Sequence, residues 1–259
     1  MLNKIYAYLE RNIRMIRSAP GEIFQITIWP LIGLLSIGLL GNFVVGTGAS
    51  TNTIGFIILG VLIWNFFSVS ARSMFVGFMY DVWDECLKHH FTNPVRTRDF
   101  LLGNGIFALT SSIIGFILVG LLSIYLFNFN VFSIGFYLIP GLFIVLLHGL
   151  ADGLIVNSLI LRKGYGYHSL GWAIPGFVMI FSGVYYPINT LPEIMQKIAF
   201  FLPSSHAIEG LRGIIGLSNA GISEFYIGIP LAIIYFSISA WIFKTSITKA
   251  KHNGFITKY

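Results

Sequence analysis

The sequence predicts an all-α integral membrane protein with six transmembrane helices, and three observations favour that class. Of its 259 residues, 56% are hydrophobic and only 10% are charged, whereas a soluble domain carries roughly 25% charged residues. Apolar stretches of about 20 residues, long enough to cross a bilayer as helices, recur along the whole chain. The alternating segments of about ten residues that a transmembrane β-barrel needs do not occur. We therefore expect a single transmembrane domain over residues 1–259.

The first 20 residues predict an amphipathic helix that lies in the membrane interface. Its apolar positions recur at helical spacing and its basic positions fall on the opposite side. The apolar set is Leu2, Ile5, Leu9, Ile13 and Ile16, and the basic set is Lys4, Arg11 and Arg14. Residues 18–21 then break the helix, because they contain a proline and a glycine. An ordinary basic topology anchor is the alternative interpretation.

Six apolar segments are long enough to span the membrane. They are Ile23–Val45, Ile54–Met79, Phe100–Phe127, Gly135–Leu161, Leu170–Tyr186 and Phe225–Phe243.

The distribution of basic residues predicts which side each loop faces. With the N-terminus inside, 13 of the 16 Lys and Arg residues fall in inner segments. Lys197 and Arg212 fall outside, and Arg72 lies within a span. This asymmetry predicts that both termini are cytoplasmic, and we expect the protein to lie in the cell membrane. The net charge of +6 then faces anionic lipid, so nucleic acid is not needed as a partner.

The inner loop over residues 80–99 predicts a short helix, Val82–Phe91, whose exposed side is aromatic and apolar. Trp83, Leu87 and Phe91 lie on one face, and Pro94 ends the helix. Such a face either rests on lipid or docks into another protein.

Charged residues within spans predict functional or packing roles, because burying a charge in lipid is costly. Arg72 and Asp152 lie roughly 9 Å and 6 Å to the cytoplasmic side of their span midpoints, at about 1.5 Å per residue. We therefore expect a salt bridge between them, with His148 one turn before Asp152. The pair either locks helix packing or lines a substrate path. Two ligands do not make a metal centre, so no metal is expected. Gly149 and Gly153 permit a close helix approach beside Asp152.

Residues 187–222 predict two short helices that dip into the outer leaflet and return. Pro187, Pro192 and Pro203 interrupt the segment. The expected helices are Leu191–Phe201 and Ser205–Leu217, with Pro192 in the first turn of one and Pro203 separating the two. Glu209 and Arg212 lie one turn apart and can neutralise each other. The alternative is a solvated loop with a surface ion pair.

Two motifs in this region carry a family resemblance. Pro187-x-x-x-Leu191-Pro192, followed by Pro203-x-x-x-Ala207-x-Glu209-x-x-Arg212, resembles the extracellular re-entrant region of type-2 ABC transporter permeases, the exporter class. Asn93-Pro94-Val95-Arg96 resembles that family's segment entering the third span. The interfacial helix is also similar to the N-terminal helix of these permeases.

The resemblance implies a permease subunit that is not itself an enzyme. The chain has no Gly-x-x-x-x-Gly-Lys-Ser/Thr phosphate loop, so ATP and Mg would bind a separate ABC ATPase, and no cofactor is expected in this chain. In the family, the inner loop docks into that ATPase, which implies a coupling role for Trp83, Leu87, Phe91, Pro94 and Arg96. A second copy, or a paralogous half-permease, would complete the transporter, surrounded by membrane lipid.

The resemblance leaves the substrate open. The apolar, aromatic character favours export of a hydrophobic or amphiphilic compound, drug-like or lipid-like, by alternating access. A permease for polysaccharide or lipid-linked glycan is the main alternative. An ATP-independent channel or transporter and an intramembrane enzyme are the other classes considered.

Overall fold

The computed structural model describes residues 10–14, 20–48, 50, 52–83 and 97–252, and every regular element in them is helical. Residues 10–14, called the N-terminal segment here, form a short helical stretch. The α-helices that follow are α1 (Pro20–Gly46), α2 (Asn52–Trp83), α3 (Thr97–Phe127), α4 (Leu138–Lys163), α5 (Leu170–Phe181), α6 (Glu193–Phe200), α7 (Pro203–Ile214) and α8 (Ser223–His252). Three 3-10 helices lie between them at Val131–Tyr137, Tyr165–Tyr167 and Ile188–Thr190.

Five helical stretches in the described part of the chain are long and apolar enough to cross a membrane. They are α1, α2, α3, α8, and α4 together with the 3-10 helix before it. They coincide with five of the six predicted spans, and they make the chain a multi-pass membrane protein.

The predicted fifth span, Leu170–Tyr186, does not form one continuous membrane-length helix. Its helical part, α5, has 12 residues and is therefore about 18 Å long, against a hydrocarbon core of about 30 Å. The helix ends at Phe181 because Gly183 adopts a positive φ of 65°, a backbone conformation that terminates helices. The short 3-10 helix before α5 and the turns after it account for the remaining length.

Helix α2 lies at the centre of the bundle and packs closely against α4. A Cβ atom on Gly149 would lie 2.4 Å from the hydroxyl oxygen of Ser70, and one on Gly153 would lie 2.6 Å from the carbonyl oxygen of Ala71. No side chain fits in that space, so the two glycines bring the helices together as the sequence predicted.

Helices α4 and α8 run side by side in the same direction. Near the middle of α4, the His148 ring lies 5.4 Å from the Tyr235 ring of α8. Near its end, Arg162 Nε donates to Ser246 Oγ at 2.7 Å. The end of α4 and the end of α8 therefore lie at the same end of the bundle, and the chain between them must travel back along it.

Residues 182–222, called the helical cap here, lie against the start of α2 and the start of α8. The cap contains α6 and α7, which correspond to the two short helices that the sequence predicted but begin and end at slightly different residues. Pro192 immediately precedes α6. Pro203 does not separate the helices but is the first residue of α7, where the missing N–H of proline costs nothing.

Candidate functional site

Arg212, in α7, is the most highly connected polar residue of the helical cap. Its side chain has no solvent exposure. Nη1 donates to the carbonyl oxygen of Gly183 at 2.6 Å, and Nη2 donates to those of Val184 at 2.7 Å and Phe56 at 3.2 Å. One guanidinium therefore joins α7, the connection before α6, and the second turn of α2. Its planar fork of donors suits this task better than a single ammonium group would.

The charge of Arg212 is balanced within the cap. Nη1 also donates to Glu209 Oε1 at 3.1 Å, and Glu209 Oε2 accepts from Ser218 Oγ at 2.7 Å. The guanidinium carbon lies 3.5 Å from the centre of the Phe56 ring, within the range of a cation–π interaction. Burial lowers the pKa of Arg212 to about 10, and the Glu209 carboxylate opposes this shift. The group therefore stays positively charged at neutral pH, and the predicted contact between Glu209 and Arg212 is present.

Gly60 of α2 makes room for the contact between Arg212 and the Gly183–Val184 backbone. A Cβ atom at this position would lie 1.9 Å from the carbonyl oxygen of Val184 and 2.7 Å from Arg212 Nη2. The Val184 carbonyl oxygen belongs to the backbone, so it could make room for that Cβ atom only if the connection before α6 moved. Glycine is therefore required for the cap to lie this close to α2.

A second set of contacts ties the cap to α8. His206, in α7, has one ring nitrogen 2.7 Å from Glu224 Oε2 and the other 2.7 Å from the carbonyl oxygen of Phe200. Because Glu224 lies in the first turn of α8, the imidazole links both cap helices to that helix. The Ser182 and Ser204 hydroxyls are also hydrogen-bonded, at 2.6 Å.

The residues of the first predicted motif shape the backbone at the start of the cap. The carbonyl oxygen of Pro187 accepts from the amide of Thr190 at 3.1 Å, and that of Pro192 accepts from the amide of Gln196 at 3.0 Å. Gln196 Nε2 also donates to the carbonyl oxygen of Leu191 at 2.7 Å. These carbonyl groups are satisfied locally, which holds the irregular backbone in one conformation.

A cavity of about 600 Å³ opens within the cap. It has a mixed lining of carboxylate, amide, hydroxyl, imidazole and apolar groups. The polar part of the lining is Asn189, Gln196, Ser205, His206, Glu209, Ser218, Asn219 and Glu224.

Arg72 does not pair with Asp152, which corrects the sequence prediction. No ion pair joins them among the described residues, and the Arg72 guanidinium carbon instead lies 4.4 Å from the centre of the Trp172 ring of α5. The two side chains do not meet because different faces of α2 point toward different helices. Ala71 faces the glycines of α4, whereas Arg72 and Phe75, three residues apart, face α5.

His148 and Asp152 are buried between α4 and its neighbours. His148 packs between the rings of Phe67 and Tyr235, at 5.1 Å and 5.4 Å. Among the residues that the structure describes, neither ring nitrogen of His148 has a hydrogen-bond partner, and neither has Asp152 Oδ2. Unsatisfied polar groups in a packed layer are uncommon and cost stability, so these two residues stand out as functional candidates.

Trp83 is the last residue of α2, so the helix extends beyond the predicted start of the inner loop. Its indole Nε1 donates to the Tyr165 hydroxyl at 3.3 Å, and the residue is 45% exposed. Leu87, Phe91, Pro94 and Arg96, the other residues predicted to couple to an ATPase, lie outside the described residues.

Sequence reasoning missed a polar cluster at the end of the bundle opposite the cap. It is formed by Arg11, Asn12, Gly77, Asp81 and Asn104. The sequence pattern places Arg11 with Lys4 and Arg14 among the basic residues of an interfacial helix. The available signal was Asn104, an amide within an otherwise apolar segment, since a buried amide requires a polar partner.

The comparisons with known proteins agree with this architecture. The family described as "ABC-2 type transporter" matches residues 5–215. The match extends from the N-terminal part of the chain through both cap helices.

A curated relative from Archaeoglobus fulgidus, described only as an uncharacterized protein, is 40% identical over 42 residues. This alignment covers 16% of the present chain and 66% of the relative. It carries no information about activity.

Proposed function

Since the chain belongs to the ABC-2 type transporter family, we propose that it is the membrane-spanning permease subunit of an ATP-driven exporter. The observation that carries the proposal is the extent of the family match, which spans four of the long helices and the complete α6–α7 pair. ATP hydrolysis occurs in a separate ABC ATPase, and a second copy or a paralogous half-permease completes the transporter.

The proposed topology has six crossings and both termini in the cytoplasm. Because α4 and α8 run in the same direction, residues 164–222 return to the end of the bundle from which α4 started. Tyr165 contacts Trp83 at one end of α2, and Val184 contacts Arg212 beside Gly60 near the other end. We take residues 165–186 as the remaining crossing, made by a 3-10 helix, α5 and a turn in succession. The excess of basic residues on the termini and inner loops supports their cytoplasmic placement.

In this topology the helical cap lies at the outer face, where α6 and α7 enter the outer leaflet and return. The exposed apolar side chains of Ile194 and Ile198 in α6, and of Phe201 directly after it, support that placement, because apolar side chains are stable in lipid. The contacts of Arg212 and His206 hold the cap across the ends of α2 and α8. The cap therefore closes the outer end of the path, and opening it requires movement of these helices.

The proposed substrate is hydrophobic or amphiphilic. The face around Arg72 supports this class, because the exposed ring of Trp172 in α5 lies next to its guanidinium group. A cation next to an exposed aromatic ring can bind the polar head of an amphiphile while the ring contacts its apolar part. Arg72 is then a residue of the substrate path and not only a packing residue.

The proposal can be tested with the permease and its ABC ATPase co-expressed and reconstituted in vesicles. Dye-labelled phospholipids and an anionic amphiphilic dye serve as probes. We expect ATP-dependent movement of at least one probe, and no movement when the phosphate-loop lysine of the ATPase is replaced by alanine. Movement that persists without ATP would identify a channel or an ATP-independent transporter. Failure of the ATPase to co-purify would overturn the proposed partner.

A further inference from the structure

The polar cluster at the end of the bundle opposite the cap joins three separate parts of the chain. Asn12 Nδ2, in the N-terminal segment, donates to Asn104 Oδ1 of α3 at 2.8 Å. The two residues are 2% and 0% exposed. A buried hydrogen bond between two amides has a defined geometry and is costly to break without water. The N-terminal segment is therefore fixed to α3 by a specific bond.

Arg11 connects the same segment to the last turns of α2. Nη1 pairs with Asp81 Oδ1. Nη2 donates to the carbonyl oxygen of Gly77 at 2.8 Å and to Asn12 Oδ1 at 3.1 Å. Gly77 permits the close approach, because a Cβ atom there would lie 2.9 Å from Asn104 Oδ1. Arg11 and Asn12 together thus bind α2 and α3 to each other.

The cluster lies at the two helix ends that flank the inner loop. Asp81 lies two residues before the end of α2, and Asn104 lies near the beginning of α3. The cluster therefore holds both helices that lead into and out of residues 84–96. Any force applied to that loop reaches the membrane through these two helix ends.

The orientation of the N-terminal segment differs from that of a helix that only rests on lipid. Ile13 is 49% exposed, whereas Arg11 and Asn12 face the bundle. Arg14, one turn from Arg11, is exposed and forms a surface pair with Glu10. A simple membrane anchor would direct its basic side chains toward lipid headgroups, but Arg11 binds protein groups instead.

We propose that Arg11 and Asn12 are positioning residues for energy coupling. They hold α2 and α3 as one unit, so that displacement of the loop between them by an ATPase moves both helices together. Phe78 of α2 and Phe100 of α3 also pack ring against ring at this end, but apolar packing lets the helices slide, whereas the Arg11 and Asn12 hydrogen bonds fix their relative position. The inference rests on the proposed function, since it requires an ATPase that acts on the loop.

The test follows an ATP-driven change at the opposite end of the bundle, so it does not depend on knowing the substrate. The parent protein carries Cys86→Ala and Asn219→Cys, which places one thiol in the exposed part of the cap cavity. The complex with the ABC ATPase is labelled by a membrane-impermeant thiol reagent, with and without ATP and vanadate. The measured quantity is the ATP-induced change in labelling rate per bound ATPase.

In the parent we expect a clear change in labelling rate when nucleotide is trapped. Arg11→Gln and Asn12→Leu should reduce that change about tenfold while the ATPase still co-purifies. Arg14→Gln, in the same segment but exposed, should respond as the parent does. Arg11→Lys keeps a charge opposite Asp81 but cannot reach all three acceptors, so it should give an intermediate response with normal folding.

Two results would contradict different parts of the argument. If Asn12→Leu and Arg11→Lys respond as the parent does, the cluster has no coupling role. The same conclusion follows if their response falls only in proportion to a loss of folded complex. If the parent itself fails to bind the ATPase or to respond to ATP, the proposed function is wrong, independently of Arg11 and Asn12.

Discussion

The side chain of Arg212 and the backbone of Val184 meet in a hydrogen bond of 2.7 Å, directly above Gly60 of α2. The buried guanidinium of Arg212 binds the carbonyl groups of Gly183 and Val184, where the chain leaves α5 and enters the cap. The position of the cap therefore depends on one guanidinium and on the absence of a side chain at Gly60.

Gly60→Ala should displace the cap. The new Cβ atom would overlap the Val184 carbonyl oxygen, and overpacking of this kind costs about 2 kcal/mol. Gly33→Ala is the matched control, because nothing lies within 4 Å of a Cβ atom there. That change should be neutral or slightly stabilising, since alanine favours helix. Thermal unfolding in detergent measures both, and equal stability of the two variants would contradict the observed contact.

Arg212→Ala should destabilise the protein by about 3 kcal/mol, because it leaves Glu209 and several carbonyl groups buried without their partner. Arg212→Lys should recover only part of the loss, since one ammonium cannot span all the acceptors. Lys197→Ala, in the exposed part of α6, serves as the control and should change little. The free energy of unfolding in detergent is the measurement. A lysine variant as stable as the parent would show that charge alone, without the fork geometry, is sufficient.

A double-mutant cycle should distinguish the observed contact of Arg72 with Trp172 from the expected ion pair with Asp152. The Arg72–Trp172 pair should show an interaction free energy of about 1 kcal/mol, as cation–π pairs at partly exposed sites do. The Arg72–Asp152 pair should be additive, because these side chains point toward different helices. Thermal stability of the single and double alanine variants provides both values. Coupling between Arg72 and Asp152 comparable to that of a buried ion pair would restore the original prediction.

Trp83→Asp should weaken association with the ATPase while leaving membrane insertion intact, because Trp83 ends α2 next to the loop and is partly exposed. Loss of an aromatic anchor at a docking surface commonly reduces binding strongly. Tyr165→Phe is the control, since it removes only the hydrogen bond from the indole. The amount of ATPase that co-purifies decides the outcome. Unchanged binding in Trp83→Asp and in Leu87→Asp would exclude the loop as the docking element.

Single cysteines placed through residues 194–214 in a Cys86→Ala background should react with an impermeant outside reagent in a helical rhythm. A cysteine at Lys197, which is exposed, should react, whereas cysteines at Ala199 and Ala207, which are fully buried, should not. Uniformly high reaction along the segment would indicate a plain water-exposed loop. Reaction only from the cytoplasmic side would reverse the proposed topology.

The long helices could be predicted because each depends only on local hydropathy and length. The sequence prediction continues the fifth span through Gly183 to Tyr186, whereas in the structure Gly183 has a positive φ and follows the end of α5. The run of apolar residues on both sides of Gly183 outweighed this single local stop signal in the prediction. The contact between Glu209 and Arg212 followed from their spacing in one helix. The bonds from Arg212 to Phe56 and Val184 did not, because they join segments far apart in the sequence.

The error over Arg72 and Asp152 has a related cause. The depth of a residue in the membrane can be estimated by counting residues along its helix. Because Arg72 and Asp152 have similar estimated depths, the sequence predicts that they are neighbours. Rotation of the helix about its axis decides which neighbour each side chain meets. That rotation is set here by Gly149 and Gly153 packing on Ala71 and Ser70, which turns Arg72 toward α5.

The parallel arrangement of α4 and α8 has a consequence for how the protein is made. The insertion machinery delivers α4, with His148 and Asp152, long before the ribosome has synthesised Tyr235 of α8. Until α8 arrives, His148 has the Phe67 ring of α2 on one side but lacks the Tyr235 ring on the other. Assembly must therefore be completed after insertion, by lateral association of helices within the bilayer. A chain that is truncated before α8 would lack the Tyr235 ring that covers one side of the His148 imidazole in the structure.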